Sequence, residues 1–92
     1  MIPKRKDNYF VYIVQCVDGT YYTGYTNNLE KRIERHNSGH GSKYVRGKRP
    51  VKLVYARKYI YYKNALRGEK QIKRLDRKKK EELIKTFDKV IF

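Results

Sequence analysis

One carboxylate in this chain is oddly placed. Asp18 belongs to a hairpin loop, Glu30 to a helix start, Glu34 to a helix side turned away from the apolar stripe, and Glu81 and Glu82 to a charged helix near the end. Glu69 alone falls among Ala65, Leu66, Ile72 and Leu75, whose helical spacing points one face at a core. Burying a carboxylate costs several kcal/mol unless it is paired or holds a cation, so Glu69 is either an ion-pair partner of a nearby Arg or Lys or a metal ligand. Arg32 and His36 are i and i+4, and stack on one side of a helix, where they are either solvated or aimed at an anion. Tyr12 and Tyr22 sit in apolar runs, as core residues or as phenols taking part in proton transfer. Together these side chains suit phosphodiester chemistry. That reaction needs a base for the attacking water, positive charge on the phosphoryl oxygens, and a means of stabilising the leaving alkoxide, commonly a divalent ion on a carboxylate.

The elements that must position them follow from the pattern of apolar residues. Residues 9–16, nearly apolar on both faces and rich in β-branched and aromatic side chains, read as a central strand, with residues 20–25 as its partner. The turn between them decides the geometry. A two-residue Asp18-Gly19 loop puts Tyr12 and Tyr22 on opposite faces. A three-residue loop with Gly19 left-handed sets Cys16 against Thr20, Val14 against Tyr22 and Tyr12 against Gly24, and both tyrosines then share a face. A helix follows, with Asn27 as cap, Glu30 in the capping-box position, Leu29 and Ile33 as a narrow stripe and Gly39 as its left-handed stop. The stretch His40 to Arg49 has no period and reads as an exposed loop. Residues 51–58 read as a third strand, residues from about 62 to 75 as a second helix, and residues 77–87, capped by Asp76, as a third with Leu83, Ile84 and Phe87 inward. The expectation is an α/β (α+β) fold in the order β-β-α-β-α-α, with a three-stranded, mainly antiparallel sheet flanked by helices. It would form one domain over residues 1–92, with its core at about 9–87.

Composition narrows the partners. Lys and Arg number 24 against 9 Asp and Glu, a formal charge of +15, so the expected partner is a polyanion, with nucleic acid first and an anionic membrane surface as rival. No stretch approaches the roughly 20 apolar residues of a spanning helix, and Met1-Ile2-Pro3-Lys4 lacks the apolar segment of a signal peptide. The reading is therefore cytoplasmic, without a membrane. Cys16 is the single cysteine, which excludes an intrachain disulfide and a cysteine-based zinc site, and its apolar surroundings favour a buried, inert thiol.

Phe10-Val11-Tyr12, followed about ten residues later by Tyr22-Thr23-Gly24, resembles the paired tripeptides that name the GIY-YIG nuclease superfamily. Arg32, His36 and Glu69 stand where that superfamily has its helix arginine, a histidine or tyrosine one turn later, and its metal-binding glutamate. Tyr44-Val-Arg-Gly-Lys-Arg-Pro50 is similar to the small stand-alone members, and the resemblance covers roughly residues 9 to 80. It implies that one of Tyr12 and Tyr22 helps deprotonate water, that Arg32 contacts the scissile phosphate, that His36 and the other tyrosine orient water and phosphate, and that Glu69 holds Mg²⁺ or Mn²⁺. A tyrosine base near neutral pH would need its pKa depressed by nearby cations. Phe10 replaces the first glycine of the pattern and Thr23 the central isoleucine.

The activity this implies is a divalent-metal-dependent endonuclease, of low specificity or selective for structure, with DNA favoured over RNA and recruitment by a protein partner as an alternative route to a target. Lys43, Arg46, Lys48 and Arg49 are the candidates for backbone contacts, with Tyr44 placed to stack on a base. The rival readings are a non-catalytic DNA- or RNA-binding module of the same fold, or a structural protein of a ribonucleoprotein particle.

Overall fold

The hairpin carries both tyrosines on one face. In the computed structural model, which describes residues 6–87, β1 (Lys6–Gln15) and β2 (Tyr21–Thr26) are antiparallel and joined by the three-residue loop. The Cys16 N–H donates to the Thr20 carbonyl at 2.8 Å, the Gly19 N–H donates to the Cys16 carbonyl at 2.9 Å, and Gly19 sits at φ +86°, where a side chain would be strained. Asp18 locks the turn by accepting from the Thr20 N–H at 3.1 Å and its hydroxyl at 2.6 Å. Val14 therefore faces Tyr22, and Tyr12 faces Gly24. The Tyr12 ring lies across β2 at that point: a Cβ on Gly24 would come within 2.7 Å of the Tyr12 hydroxyl oxygen.

β3 (Lys52–Tyr61) pairs antiparallel with the other side of β1, giving the order β2-β1-β3. Both pairings are antiparallel, as expected. The register steps from Ile13 opposite Tyr55 to Val14 opposite Leu53, and this extra residue turns Val54 and Tyr55 together toward one core while Leu53 and Ala56 meet the other. On the first face Tyr9, Val11 and Ile13 pack under Ala65 and Ile72 of α3 (Tyr62–Lys73), with Leu83 and Ile84 of α4 (Arg77–Lys85) against the rim. On the second, Tyr12, Val14 and Cys16 pack with Val45, Val51 and the Leu29–Ile33 stripe of α1 (Leu29–Ser38). Cys16 is buried, as its surroundings suggested.

Several boundaries differ from expectation. Asn28, not Asn27, caps α1, accepting from the Lys31 N–H at 3.1 Å. Thr26 fixes the choice, because its hydroxyl accepts from the Asn28 N–H and donates to the Asn28 carbonyl. Glu30 thereby falls one position short of a capping box. Gly39 ends the helix at φ +87°, as expected. The stretch after it is not wholly an exposed loop: Ser42 caps a short helix, α2 (Lys43–Arg46), because Val45 turns fully inward. Asn37 fastens this segment, accepting from the Val51 N–H at 2.7 Å and donating to the Val51 carbonyl at 3.2 Å. β3 runs three residues past Lys58 and passes directly into α3, while α3 and α4 each end two residues early. Residues 1–4, read above for a signal segment, lie outside the described residues. No helix among the described residues is long and apolar enough to cross a membrane.

Thr23, opposite Ile13, is buried, and its hydroxyl has no hydrogen-bond partner among the described residues. Leaving such a group unpaired costs about 1–3 kcal/mol. Thr23→Val keeps the shape and removes the hydroxyl, so chemical denaturation should show it to be more stable than wild type by about 1 kcal/mol.

Candidate active site

α1 delivers His36 to the hydroxyl that β1 pushes across Gly24. The Tyr12 oxygen and His36 Nε2 are 2.7 Å apart, with both side chains at or below 1% exposure. Gly41 closes the far side of the ring so tightly that any Cβ there would collide with His36 Nδ1. That nitrogen has no partner among the described residues.

Burial sets the protonation of this pair. It pushes the Tyr12 phenol up to about 12; the Arg32 guanidinium pulls the other way, while Tyr22 and Glu69 add to the rise. Burial also holds the imidazole of His36 below its usual 6.5, and Arg32 adds to that. Both groups are therefore neutral at pH 7, and the tautomer sets the direction of their contact: with the imidazole proton on Nδ1 the phenol O–H donates to Nε2, and with it on Nε2 the ring donates to the phenol oxygen. The depressed phenolate contemplated above is not what the fold provides at Tyr12: a cation is present, but desolvation outweighs it.

Tyr22 completes an aromatic group. Its ring centroid lies 6.5 Å from Tyr12 and 5.4 Å from His36, and on its outer side Tyr44 stacks at 6.0 Å with planes 27° apart. Tyr44 is 44% exposed, so the row of rings runs from the core to the surface. The Lys48 ammonium sits 3.7 Å from the Tyr44 ring centroid and 3.5 Å from an Asp18 carboxylate oxygen, tying α2 to the hairpin turn. Hydrogen bonding to Thr20 and then to Lys48 lowers the pKa of the Tyr44 hydroxyl. Arg49 is partly structural, its Nε–H donating to the Arg46 carbonyl at 2.7 Å. Lys43 and Arg46 are exposed at the surface of α2. Of the proposed contact residues, Tyr44 and Lys48 thus adjoin the tyrosine pair, and Arg49 braces the α2 segment.

Arg32 and Glu69, on different helices, both act electrostatically on the Tyr12 hydroxyl, in opposite directions. Arg32 donates to the Tyr25 carbonyl at 3.5 Å and borders a cavity of about 300 Å³ shared with Tyr9, Tyr25, Thr26, Asn27 and Tyr62. Glu69 lies on α3 between buried Ala65 and Ile72, with its side chain 14% exposed. Lys73, one turn on and half exposed, pairs with it at 3.7 Å. This long, solvated ion pair leaves carboxylate oxygens available. Among the described residues no cluster of three His, Cys, Asp or Glu could enclose a metal. A single carboxylate instead suits an ion such as Mg²⁺, which keeps most of its waters and takes further ligands from a substrate phosphate.

Gly41 and the α2 turn escaped the sequence reading. The available signals were Ser42 followed by Gly47 with one apolar residue, Val45, between them, which is a short capped helix in outline.

Comparison with known proteins agrees with this geometry. The model of the GIY-YIG catalytic domain matches residues 8–82. A UPF0213 protein of Bacillus cereus is 49% identical over 78 residues, 85% of this chain and 81% of that relative, and the UPF0213 protein YazA of Bacillus subtilis is 45% identical over 82% and 76%. Two solution NMR structures are similar. The UPF0213 protein BH0048 from Bacillus halodurans has a TM-score of 0.56 and 45% identity over 85% of this chain and 83% of that one. The protein EF2693 from E. faecalis has a TM-score of 0.61 and 38% identity over 92% and 91%. With a match spanning the hairpin, α1 and α3, the chain belongs to the GIY-YIG family, among its small UPF0213 members.

Proposed function

We propose that this protein is a divalent-metal-dependent endonuclease that hydrolyses phosphodiester bonds in DNA, with low sequence specificity or with selectivity for structure. The family's catalytic domain supports nuclease chemistry and nucleic-acid binding. The observation that carries the reading is the buried Tyr12–His36 hydrogen bond, with Arg32 and Glu69 both acting on the same hydroxyl.

In this reading Arg32 holds a non-bridging oxygen of the scissile phosphate and neutralises charge that develops there. Tyr12 is too weak an acid to serve as a free phenolate: at a pKa of about 12, only about one molecule in 10⁵ is ionised at pH 7. A relay avoids that requirement. The attacking water passes a proton to the Tyr12 oxygen as Tyr12 passes its own to His36 Nε2, leaving an imidazolium and delivering hydroxide to phosphorus. The phosphate and Glu69 offset the charge gained by His36. Tyr22, at the open side of the pair, orients the water. A bound Mg²⁺ or Mn²⁺ would be held by Glu69, and its chemistry is charge neutralisation at the leaving oxygen. Tyr44, Lys43, Arg46, Lys48 and Arg49 form the adjoining surface for backbone and base contacts.

Two experiments test this reading. In the first, wild type and Glu69→Gln are incubated with branched and single-stranded DNA and RNA in Mg²⁺ or Mn²⁺. Wild type should cut at least one DNA substrate, and Glu69→Gln should bind as well but cut none. Binding by wild type without cutting of any substrate would favour a non-catalytic binding module. The second is a pH series. His36 must be neutral to accept a proton and its pKa lies below 6.5, so the cleavage rate should be flat near pH 7 and fall as pH drops below that value. Tyr12→Phe should lose about 10²–10⁴-fold in rate and also the acid limb of the profile, because the relay is absent. An unchanged profile in a folded Tyr12→Phe protein would remove His36 and Tyr12 from the proton path.

A further inference from the structure

The apolar stripe of α1 has two flanks of opposite character. Arg32 and His36 lie on one side of Leu29 and Ile33, and helical geometry puts Glu30 and Glu34 on the other. That second flank edges an open groove of about 660 Å³ whose apolar lining includes half-buried Leu29, Ile33 and Leu53. Neither glutamate forms an ion pair among the described residues, although the chain carries 24 Lys and Arg. Asp7 adds a third carboxylate nearby, accepting from the groove residue Asn27 at 3.4 Å. Three of the chain's nine acidic residues thus gather around one apolar groove on a protein of charge +15.

We infer that this groove docks a basic, amphipathic segment of a protein partner, which seats apolar side chains on Leu29, Ile33 and Leu53 and sets Lys or Arg against Glu30 and Glu34. The local carboxylates repel a phosphate backbone or an anionic membrane and favour a cationic peptide. Apolar anchors within a charged rim match the way an amphipathic helix enters a groove. The site is separate from the tyrosine pair, so the inference stands apart from the nuclease reading.

The test is NMR mapping on the intact ¹⁵N-labelled protein. The probe is an 18-residue amphipathic helix of Leu and Lys at physiological salt, with a Leu–Glu peptide of the same pattern as control. The Leu–Lys peptide should shift the amide signals of Leu29, Ile33, Leu53 and their neighbours, and the Leu–Glu peptide should leave those signals in place. A Glu30→Gln/Glu34→Gln protein with the wild-type spectral dispersion should bind the Leu–Lys peptide about tenfold more weakly. Absence of groove shifts with the Leu–Lys peptide, or undiminished binding by the double variant, would overturn the inference. Shifts of the same groove signals on raising protein concentration alone would also overturn it, by assigning the groove to a second copy of this chain.

Discussion

A single buried hydrogen bond joins the two halves of the candidate site. Tyr12 comes from the central strand and His36 from the last turns of α1, and their 2.7 Å contact requires each neighbouring element to be where it is. Gly19 sets the hairpin parity that turns Tyr12 and Tyr22 to one face. Gly24 leaves room for the Tyr12 ring to cross β2, and Gly41 leaves room for the imidazole. Asn37 fixes the end of α1 to the start of β3 through two hydrogen bonds, so His36 is held from both sides. Buried polar pairs of this kind are costly when half made and rigid when complete, which is why so much local structure is given over to one contact.

The same burial explains the electrostatics. Burial raises the Tyr12 phenol and lowers the His36 imidazole, so both are neutral at pH 7. Neutral partners in hydrogen-bond contact can pass a proton onward without Tyr12 first ionising to a free phenolate. The charged groups, Arg32 and Glu69, are supplied by two different helices and act on the Tyr12 hydroxyl in opposite directions. The protein's large positive charge raises the local concentration of such a substrate, while the orientation of the site comes from these few contacts.

Much of this was legible in the sequence. The three strands, the helices after them and the Gly39 and Asp76 caps followed from periodicity and turn chemistry, and Glu69 stood out because a carboxylate on an apolar helical face is rare. The hairpin parity did not, since Asp18-Gly19 suits either loop length and the contacts of Cys16 with Thr20 and Gly19 decide it. What escaped notice depended on contacts distant in the chain. The cap moved from Asn27 to Asn28 because of the Thr26 hydroxyl, and either asparagine satisfies the local rule. The α2 turn rests on one buried valine in a run of basic residues, a signal too short to have a period. The rise in the Tyr12 pKa could not be read from its neighbours' charges, because desolvation depends on the packed environment and outweighed the nearby arginine.

The state of His36 is the most direct measure of the account. Long-range ¹H–¹⁵N NMR of its imidazole between pH 4.5 and 8 reports both tautomer and protonation. The expected result is a neutral ring at pH 7 with the proton on Nδ1, Nε2 acting as acceptor, and a midpoint below 6.5. A protonated ring at pH 7, or a neutral ring carrying its proton on Nε2, would make His36 the donor across the 2.7 Å contact and contradict the proton relay built on it.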